Sequence, residues 1–265
     1  MKTIYRLMTE LSSRKWISKV TGRFAKSSAS RVLIPHFAKT YRIRIEEAEK
    51  PAGEYQSLNE FFTRRLKAGL RQPDADPDAL LSPVDAVITG MGRVDEGTLL
   101  DIKGQDYHID ELFNRSPRTL NYRNGFFFVL YLSPTDYHRI HSPVTGRILE
   151  KDHIPGKVYP VNDFGLRHMK RVLSRNERLI TYIGHEYGEV AVVKVGALNV
   201  SSIQYVDPLP NQLDRGGELA FFEFGSTVVL LTENGIFDPR SDLSVGQSVR
   251  MGQSLGTLHP KKPAP

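Results

Sequence analysis

The stretch Ser82-Pro83-Val84-Asp85-Ala86-Val87-Ile88 (SPVDAVI) returns later in the chain as SPVTGRI, residues 142–148. In each copy the proline sets a turn, and the residues after it alternate in the manner of a β-strand. From about residue 79 onward, short strand-like segments alternate with turns rich in Gly, Pro, Asn and Asp, which predicts a mainly antiparallel β-domain. The predicted strands are 79–90, 126–132, 143–150, 179–183, 189–195, 198–206, 217–224, 227–232 and 247–258.

Near the C-terminus, residues 245–258 (VGQSVRMGQSLGTL) place glycines at regular intervals between aliphatic residues. Together with the two SPV copies, this pattern resembles the halves of a lipoyl- or biotinyl-type β-hammerhead. A carrier domain of that type needs a lysine at an exposed hairpin tip, where this sequence has Arg250-Met251-Gly252. We therefore expect hammerhead-like architecture without the carrier function.

The first 70 residues have a helical pattern instead, with predicted helices at 2–11, 14–25, 29–40 and 58–66. Ser57 and Glu60 form a capping-box pattern at the start of the last of these helices. Residues 71–77 (RQPDADP) form a turn-rich linker because each proline disfavours helix in the residue before it. The predicted class is α+β, with a helical segment at 1–70 followed by a β-rich domain at 71–265.

The positive charge of the chain is concentrated in that helical segment. Residues 1–44 contain 11 Lys or Arg and one acidic residue, whereas the rest of the chain contains 25 basic and 29 acidic residues. Apolar residues recur at helical spacing beside basic ones, namely Trp16, Ile17, Val20 and Phe24 beside Lys15, Lys19 and Arg23. This stripe is typical of a helix at an anionic membrane surface, and it equally fits a helix packed on its own core with a solvated basic face. Nucleic acid is a weaker alternative because no recognised binding module accompanies the charge.

Composition excludes several classes of site. The chain has 265 residues, of which 40% are apolar, enough for a sizeable core. It contains no cysteine, which excludes disulfides, thiolate metal sites and a cysteine nucleophile. The longest apolar run, 126–132 (FFFVLYL), is far shorter than the roughly 20 residues of a membrane-spanning helix. The N-terminus lacks the apolar segment and cleavage site of a signal peptide, so the expected compartment is cytoplasmic.

Three places carry groups capable of chemistry. Residues 136–143 (DYHRIHSP) hold His138 and His141, which would point to opposite faces of a strand, and no carboxylate or cysteine completes a zinc pattern, so no metal is expected. The pair Gly225-Ser226 lacks the flanking glycines of a hydrolase nucleophile elbow and by itself indicates a glycine bulge. Asp85 lies in a turn, where aspartate usually makes local hydrogen bonds. Taken separately, none of the three assigns a function.

The order and spacing of several motifs are more specific. These motifs are LNEFFTR (58–64) with Leu66-Lys67, SPVD (82–85), IKGQ (102–105), YHRIHSP (137–143), VGALNV (195–200), RGGE (215–218) and FGSTVV (224–229). In these motifs the sequence resembles the bacterial, membrane-associated, pyruvoyl-dependent phosphatidylserine decarboxylase family, over nearly the whole chain after residue 30. Ala86 departs from the glycine that the family usually has after the aspartate, which removes backbone freedom but no functional group.

The resemblance implies that the chain makes its own cofactor. Ser226 Oγ would attack the carbonyl of Gly225, and elimination of the resulting ester would leave a pyruvoyl group at position 226 and two pieces, a β subunit of residues 1–225 and an α subunit of residues 226–265. A serine hydroxyl needs a neighbouring base, for which His141 is the candidate, and Asp85 would hold the His141 tautomer. These assignments place catalysis in the β-rich domain.

For the decarboxylation itself, the resemblance implies a Schiff base between the pyruvoyl ketone and the amine of phosphatidylserine. His138 is the candidate that delivers a proton after CO₂ has left, which gives phosphatidylethanolamine. The implied partners are phosphatidylserine in an anionic membrane and the two subunits of the chain itself as a heterodimer, located peripherally on the cytoplasmic face of the cell membrane. Two alternatives use the same features: a Ser-His-Asp lipid hydrolase without self-cleavage, and a non-enzymatic lipid-surface adaptor.

Overall fold

The computed structural model describes residues 15–95, 98–99, 102, 105–161, 166, 169–197, 203–223 and 226–261. Its helices are α1 (Lys15–Lys26), α2 (Ile34–Thr40), α3 (Leu58–Phe62), α4 (Ile109–Leu112), α5 (Thr119–Tyr122) and α6 (Val172–Arg175), with 3₁₀ turns at Ser28–Leu33, Ile45–Glu47 and Ala52–Glu54. Helices α1 to α3 agree with the predicted helical segment, while the predicted helix at 2–11 lies outside the described residues. The α+β class is confirmed.

The strands form one large curled sheet and two small ones. The large sheet has the order β11-β7-β8-β9-β13-β5-β2-β3-β4, with β15 beside β2, and the small sheets have the orders β1-β16-β14 and β10-β12-β6. The strand pairs within these sheets are antiparallel, as predicted. The strands are β1 (Ala79–Leu81), β2 (Ala86–Asp95), β3 (Thr98–Leu99), β4 (Tyr107–His108), β5 (Phe126–Leu132), β6 (Arg139–His141), β7 (Gly146–Ile154), β8 (Arg178–His185), β9 (Gly188–Gly196), β10 (Ile203–Tyr205), β11 (Gln212–Leu213), β12 (Glu218–Phe222), β13 (Ser226–Thr232), β14 (Phe237–Pro239), β15 (Ser248–Val249) and β16 (Ser254–Leu258).

Several predicted boundaries were wrong at turns. The predicted strand 79–90 is interrupted at residues 82–85, and the predicted strand 247–258 is interrupted at residues 250–253. The helix predicted at 58–66 ends at Phe62, because the chain turns there and Leu66 then forms a β-bridge with Ala48. Of the predicted strand 198–206, residues 203–205 form β10, and residues 198–202 lie outside the described residues.

The two SPV copies form equivalent turns that cross each other. Ser82 Oγ donates to the carbonyl of Val84 at 2.7 Å, and Ser142 Oγ donates to the carbonyl of Val144 at the same distance. The turns also exchange backbone hydrogen bonds, from Leu81 N to Pro143 O (3.1 Å) and from His141 N to Pro83 O (2.9 Å). The sequence echo therefore corresponds to an internal duplication, and the crossing fixes the first turn directly beside the histidine-bearing strand β6.

The large sheet buries apolar side chains on both faces. One face packs on the short helices α4 to α6 and includes Val193, Val195 and Val229. The other face packs against the small sheets and includes Val192, Val228 and Ile140. Strand β13 is paired on both sides along its whole length, with β5 and with β9, so it lies in the middle of the sheet.

The N-terminal segment packs on a small core of its own around Ile34, Tyr55 and Phe61. Ser57 caps α3, because its hydroxyl accepts a hydrogen bond from Glu60 N at 3.1 Å, as the capping pattern predicted. Lys26, at the end of α1, forms a 2.8 Å salt bridge with the buried Glu223, the residue directly after β12. Among the described residues, none of the helices has the length and apolar content needed to cross a bilayer.

Candidate active site

The residues singled out from the sequence lie at the ends of three strands. Asp85 immediately precedes β2, His138 immediately precedes β6, His141 ends β6, and Ser226 begins β13. The backbone of β6 pairs with β12, and Phe222 N donates to His138 O at 3.1 Å. The site is thus assembled from segments far apart in the sequence.

His141 is almost fully buried and its ring has two hydrogen-bond partners. Nδ1 lies 2.7 Å from the carbonyl oxygen of Gly216, which can only accept, so Nδ1 carries the proton. Nε2 lies 3.0 Å from the Tyr137 hydroxyl and can only accept, so the hydroxyl donates to it; burial raises the pKa of that phenol and keeps it protonated. Burial also lowers the pKa of His141, so the ring is neutral at pH 7 and Nε2 is a basic nitrogen.

Asp85 is buried beside this ring, but its hydrogen bonds go elsewhere. Arg71 Nε donates to both carboxylate oxygens at 2.9 and 3.0 Å, Arg71 Nη2 donates to Oδ2 at 2.5 Å, and Met251 N donates to Oδ1 at 2.8 Å. Burial is the largest effect on the pKa of His141 and lowers it, whereas the Gly216 hydrogen bond, the charge of Glu218 and, least of these, the charge of Asp85 raise it. Asp85 therefore acts on His141 through its electric field, whereas the tautomer is fixed by the Gly216 carbonyl.

His138 is fully buried and stacks on Phe62, with ring centroids 4.0 Å apart. Its Nδ1 lies 2.8 Å from the carbonyl oxygen of Asp136 and carries the proton, whereas Nε2 has no hydrogen-bond partner. Burial lowers the pKa of His138 to about 3. At neutral pH this histidine is uncharged, and it presents a bare, unpartnered basic nitrogen in the protein interior.

Position 226 is fixed by the register of the sheet. Ser226 is the first residue of β13 and lies opposite Leu132 on one side and Gly196 on the other. Gly225, the residue on the other side of the predicted cleavage point, lies outside the described residues. Leu132 leads through a short turn to Asp136 and Tyr137, so the strand beside position 226 continues directly into the two histidines.

Several residues of the site were missed by sequence reasoning. Tyr137 and Gly216 hold the His141 ring, and Arg71 holds Asp85 and also contacts Glu47 at 3.2 Å. Tyr137 and Gly216 fall inside the quoted motifs YHRIHSP and RGGE, and the motifs were the one available signal for them. Arg71 stands in the proline-rich linker, where nothing in the local sequence indicates a partner.

The same region contains a cavity of about 240 Å³ beside Asp85. Its wall includes three arginines of the N-terminal segment (Arg42, Arg44 and Arg64) and Arg71 of the linker, together with Glu47, Asp136 and Tyr137. In the part of the chain that the structure describes, no cluster of His, Asp or Glu is suited to a metal ion.

Known proteins resemble this chain closely. The family model described as phosphatidylserine decarboxylase matches residues 58–257. A protein of Geobacillus kaustophilus named phosphatidylserine decarboxylase proenzyme is 44% identical over 255 residues, which cover 96% of each chain. Proteins of the same name from Bacillus thuringiensis (strain Al Hakam) and Bacillus cereus (strain 03BB102) are each 40% identical over 256 residues, or 97% of each chain. The chain is therefore an enzyme, a decarboxylase processed from a proenzyme, and it belongs to the phosphatidylserine decarboxylase family.

Proposed function

We propose that this chain cuts itself between Gly225 and Ser226, converts Ser226 into a pyruvoyl group, and then decarboxylates phosphatidylserine to phosphatidylethanolamine. The observation that carries the proposal is the position of Ser226 at the first residue of a central strand, within a chain that matches the family over nearly its whole length. The pyruvoyl group would supply an electron sink, through a Schiff base with the amine of the lipid headgroup.

The strand pairing of β13 would hold the two pieces together after a cut at this point. Residues 226–232 pair with 126–132 on one side and with 190–196 on the other. Downstream, β15 pairs with β2, and β16 pairs with β1. A 40-residue fragment starting at Ser226 would therefore remain bound to residues 1–225 through several strand pairs, as a heterodimer of the two pieces.

For self-cleavage, His141 is the base that takes the Ser226 proton. Its neutral state and its protonated Nδ1 leave Nε2 as the accepting nitrogen, and the Tyr137 hydroxyl that now occupies Nε2 would give way or relay the proton. Asp85 would stabilise the imidazolium that forms, by its charge and without direct contact. Asp85, His141 and Ser226 thus remain the proposed self-cleavage set, with Tyr137 added.

For decarboxylation, His138 is the proposed proton carrier. A histidine with a pKa of about 3 holds no spare proton at neutral pH, so it cannot act first as an acid. It could act only if the negative charges of the bound headgroup raise that pKa, so that Nε2 takes up a proton from solvent. The protonated Nε2 would then deliver this proton to Cα after CO₂ has left.

Intact-mass measurement of purified protein tests the proposal. The wild-type chain should appear as two pieces, residues 1–225 and 226–265, and the smaller should lack a free amino terminus. Ser226→Ala should remain a single 30.0 kDa chain without activity. His138→Gln should be cut but should release little CO₂ from phosphatidylserine.

The outcomes separate the proposal from its rivals. A single uncut wild-type chain that hydrolyses lipid and is labelled at Ser226 by an acylating probe would favour the Ser-His-Asp hydrolase. A single chain that binds vesicles without turnover would favour the adaptor. An uncut His138→Gln variant would contradict the assignment of separate roles to His138 and His141.

We also propose that the N-terminal segment binds an anionic membrane peripherally, on its cytoplasmic face. Phe24, Val32 and Leu33 are exposed there, with side chains of Arg23, Lys26, Arg31 and Lys39 on the same segment. Each basic side chain near an anionic surface contributes about 1 kcal/mol. Sedimentation with vesicles containing phosphatidylserine should therefore be lost on deletion of residues 1–28, and weakened in the less disruptive Val32→Ser, Leu33→Ser double variant. Unchanged sedimentation of both would support a helix that only packs on its own core.

A further inference from the structure

The cavity beside Asp85 contains a buried positive charge that the described residues do not neutralise by direct contact. Arg64 is 4% exposed, and its Nε and Nη1 have no hydrogen-bond partner. Its third nitrogen, Nη2, makes only a long 3.4 Å contact with the carbonyl of Thr135. Burying a guanidinium without an acceptor is costly, so a group that supplies acceptors in this cavity would be bound strongly.

Most of the other charged side chains around the cavity already have hydrogen-bond or ion-pair partners. Glu47 is bound by Arg44 at 2.5 Å and by Arg71, and Arg71 also holds Asp85. Asp136 accepts hydrogen bonds from the backbone and side chain of Ser133, at 2.7 and 2.8 Å, and not from Arg64. The acids near Arg64 therefore moderate its charge from a distance but leave its N–H groups free.

We propose that Arg64 binds the phosphodiester of the lipid headgroup in this cavity; this inference rests on the proposed function. The cavity holds about 240 Å³ and is lined by Arg42 and Arg64 in addition to the paired arginines. Arginine suits phosphate because its charge is permanent and its N–H groups are directional. Arg64 would be a substrate-binding residue and would take no part in self-cleavage.

The position of the cavity suits a headgroup that reaches from it to position 226. Thr135 lines the cavity and lies three residues after Leu132, which is opposite Ser226 in the sheet. Three residues span at most about 11 Å and paired strands lie about 5 Å apart, so the Thr135 side of the cavity lies at most about 16 Å from position 226 along the backbone.

The chemistry of the reaction favours the phosphodiester over the headgroup carboxylate as the bound anion. The carboxylate is lost as CO₂, so a guanidinium holding it would stabilise the ground state more than the transition state and would slow the reaction. The phosphodiester keeps its charge throughout. An arginine holding it contributes equal binding energy to substrate and transition state, which lowers KM without changing kcat.

The test is calorimetric binding of glycerophosphoethanolamine to the full-length enzyme as purified. This probe carries the phosphodiester but no carboxylate. We expect Arg64→Gln to bind it at least about tenfold more weakly than wild type, the loss expected for hydrogen bonds to a charged group. Arg64→Lys, which keeps the charge, should fall between the two. Arg147→Gln, a matched change of an exposed arginine, should bind like wild type.

Three other results would overturn the inference. The first is equal affinity of wild type and Arg64→Gln for glycerophosphoethanolamine. The second is binding of free serine that depends on Arg64, which would make the cavity a carboxylate site. The third is Arg64-dependent binding of inorganic phosphate that is tighter than that of the phosphodiester, which would make it a free-phosphate site. Should Arg64→Gln fail to fold, the lysine variant decides, because affinity equal to wild type would then overturn the inference.

Kinetics and processing distinguish this inference from the proposed function. In Arg64→Gln we expect normal cutting, a KM for phosphatidylserine raised about tenfold and a kcat within about threefold of wild type. A purely structural role would instead lower the melting temperature and kcat together. A wild-type chain that is never cut would contradict the proposed function, whatever the binding results. A cut Arg64→Gln enzyme with unchanged KM would contradict only the assignment of Arg64.

Discussion

The two crossed turns at residues 82–88 and 142–148 have the same backbone design but very different surroundings. Each has a serine that closes the turn on the carbonyl two residues ahead. Each turn also exchanges backbone hydrogen bonds with a distant loop, Ser82 with residues 252–253 and Ser142 with residues 216–217. The central glycine of each loop, Gly252 or Gly216, has a φ of +87° or +79°, which a residue with a Cβ adopts only with strain.

The side chains at equivalent positions of the two turns have diverged. Asp85 in the first turn corresponds to Thr145 in the second, and each accepts a hydrogen bond from a backbone N–H of the facing loop, Met251 N or Arg215 N. Asp85 is buried, whereas Thr145 is exposed. The difference arises because Arg71 and the N-terminal segment cover the first turn alone. The two copies thus share one backbone scaffold. The first copy differs because Arg71 and the N-terminal segment cover it and bury Asp85.

The largest expected effect is on the rate of self-cleavage, and it comes from removing the charge of Asp85 in the first turn. Asp85→Asn removes a charge that stabilises a protonated His141 and leaves Arg71 without its partner, and we expect self-cleavage to slow by a factor on the order of 10², the low end of what general base catalysis contributes. Thr145→Val, the matched change in the second turn, should cut at the wild-type rate. Intact mass over time after synthesis measures both. Equal cutting by the two variants would show that the turns have not diverged in function.

A second prediction concerns the segment that covers the first turn. Arg71→Gln leaves Asp85 buried without its cation, and we expect the free energy of unfolding to fall by about 3 kcal/mol. Arg215→Gln beside the second turn removes hydrogen bonds to the carbonyls of Asp74 and Asp76 and should cost about 1 kcal/mol. Urea unfolding of both variants in the Ser226→Ala background compares chains of one length. Similar decreases in the free energy of unfolding of the two variants would mean that the Arg71–Asp85 pair contributes no more than the exposed hydrogen bonds of Arg215.

How far the sequence could predict these features depends on how local they are. The turns were predicted because proline, serine and alternating apolar residues act within a few positions of each other. Their crossing was not predicted, since it is made by backbone hydrogen bonds between residues far apart. Strand β6 was predicted as an extended segment or a turn, without bounds, because its three residues follow a turn and carry no alternation that distinguishes them from a loop.

In the candidate site, too, locally encoded features were predicted and long-range contacts were not. Asp85, His138, His141 and Ser226 were named from motifs whose residue types carry the chemistry, and their roles remain proposals. The direct partners of Asp85 and His141 were not foreseen. The Gly216 carbonyl is a backbone group that any residue could offer, and Arg71 reaches Asp85 only because the linker folds back over the first turn. Arg64 was quoted within the motif LNEFFTR, but its unpartnered nitrogens are visible only once the cavity is built.

The smallest predicted effect tests the other pair of equivalent positions, His141 and Leu81. Burial lowers the pKa of His141 below the ordinary value of 6.5, so the unfolded chain binds more protons than the folded chain at pH values just below 6.5. Stability from this residue is therefore fully present above pH 6.5 and is lost as the pH falls through the window below it.

Substituting His141→Leu makes the second turn match the first, and we expect the slope of unfolding free energy against pH to decrease by up to about 1.4 kcal/mol per pH unit between pH 5 and 6.5. Leu81→Met should leave that slope unchanged, because neither side chain titrates. Urea unfolding of the three chains in the Ser226→Ala background measures the slopes. An unchanged slope in His141→Leu would mean that folding does not lower the pKa of His141, which would contradict the effect of burial on this ring.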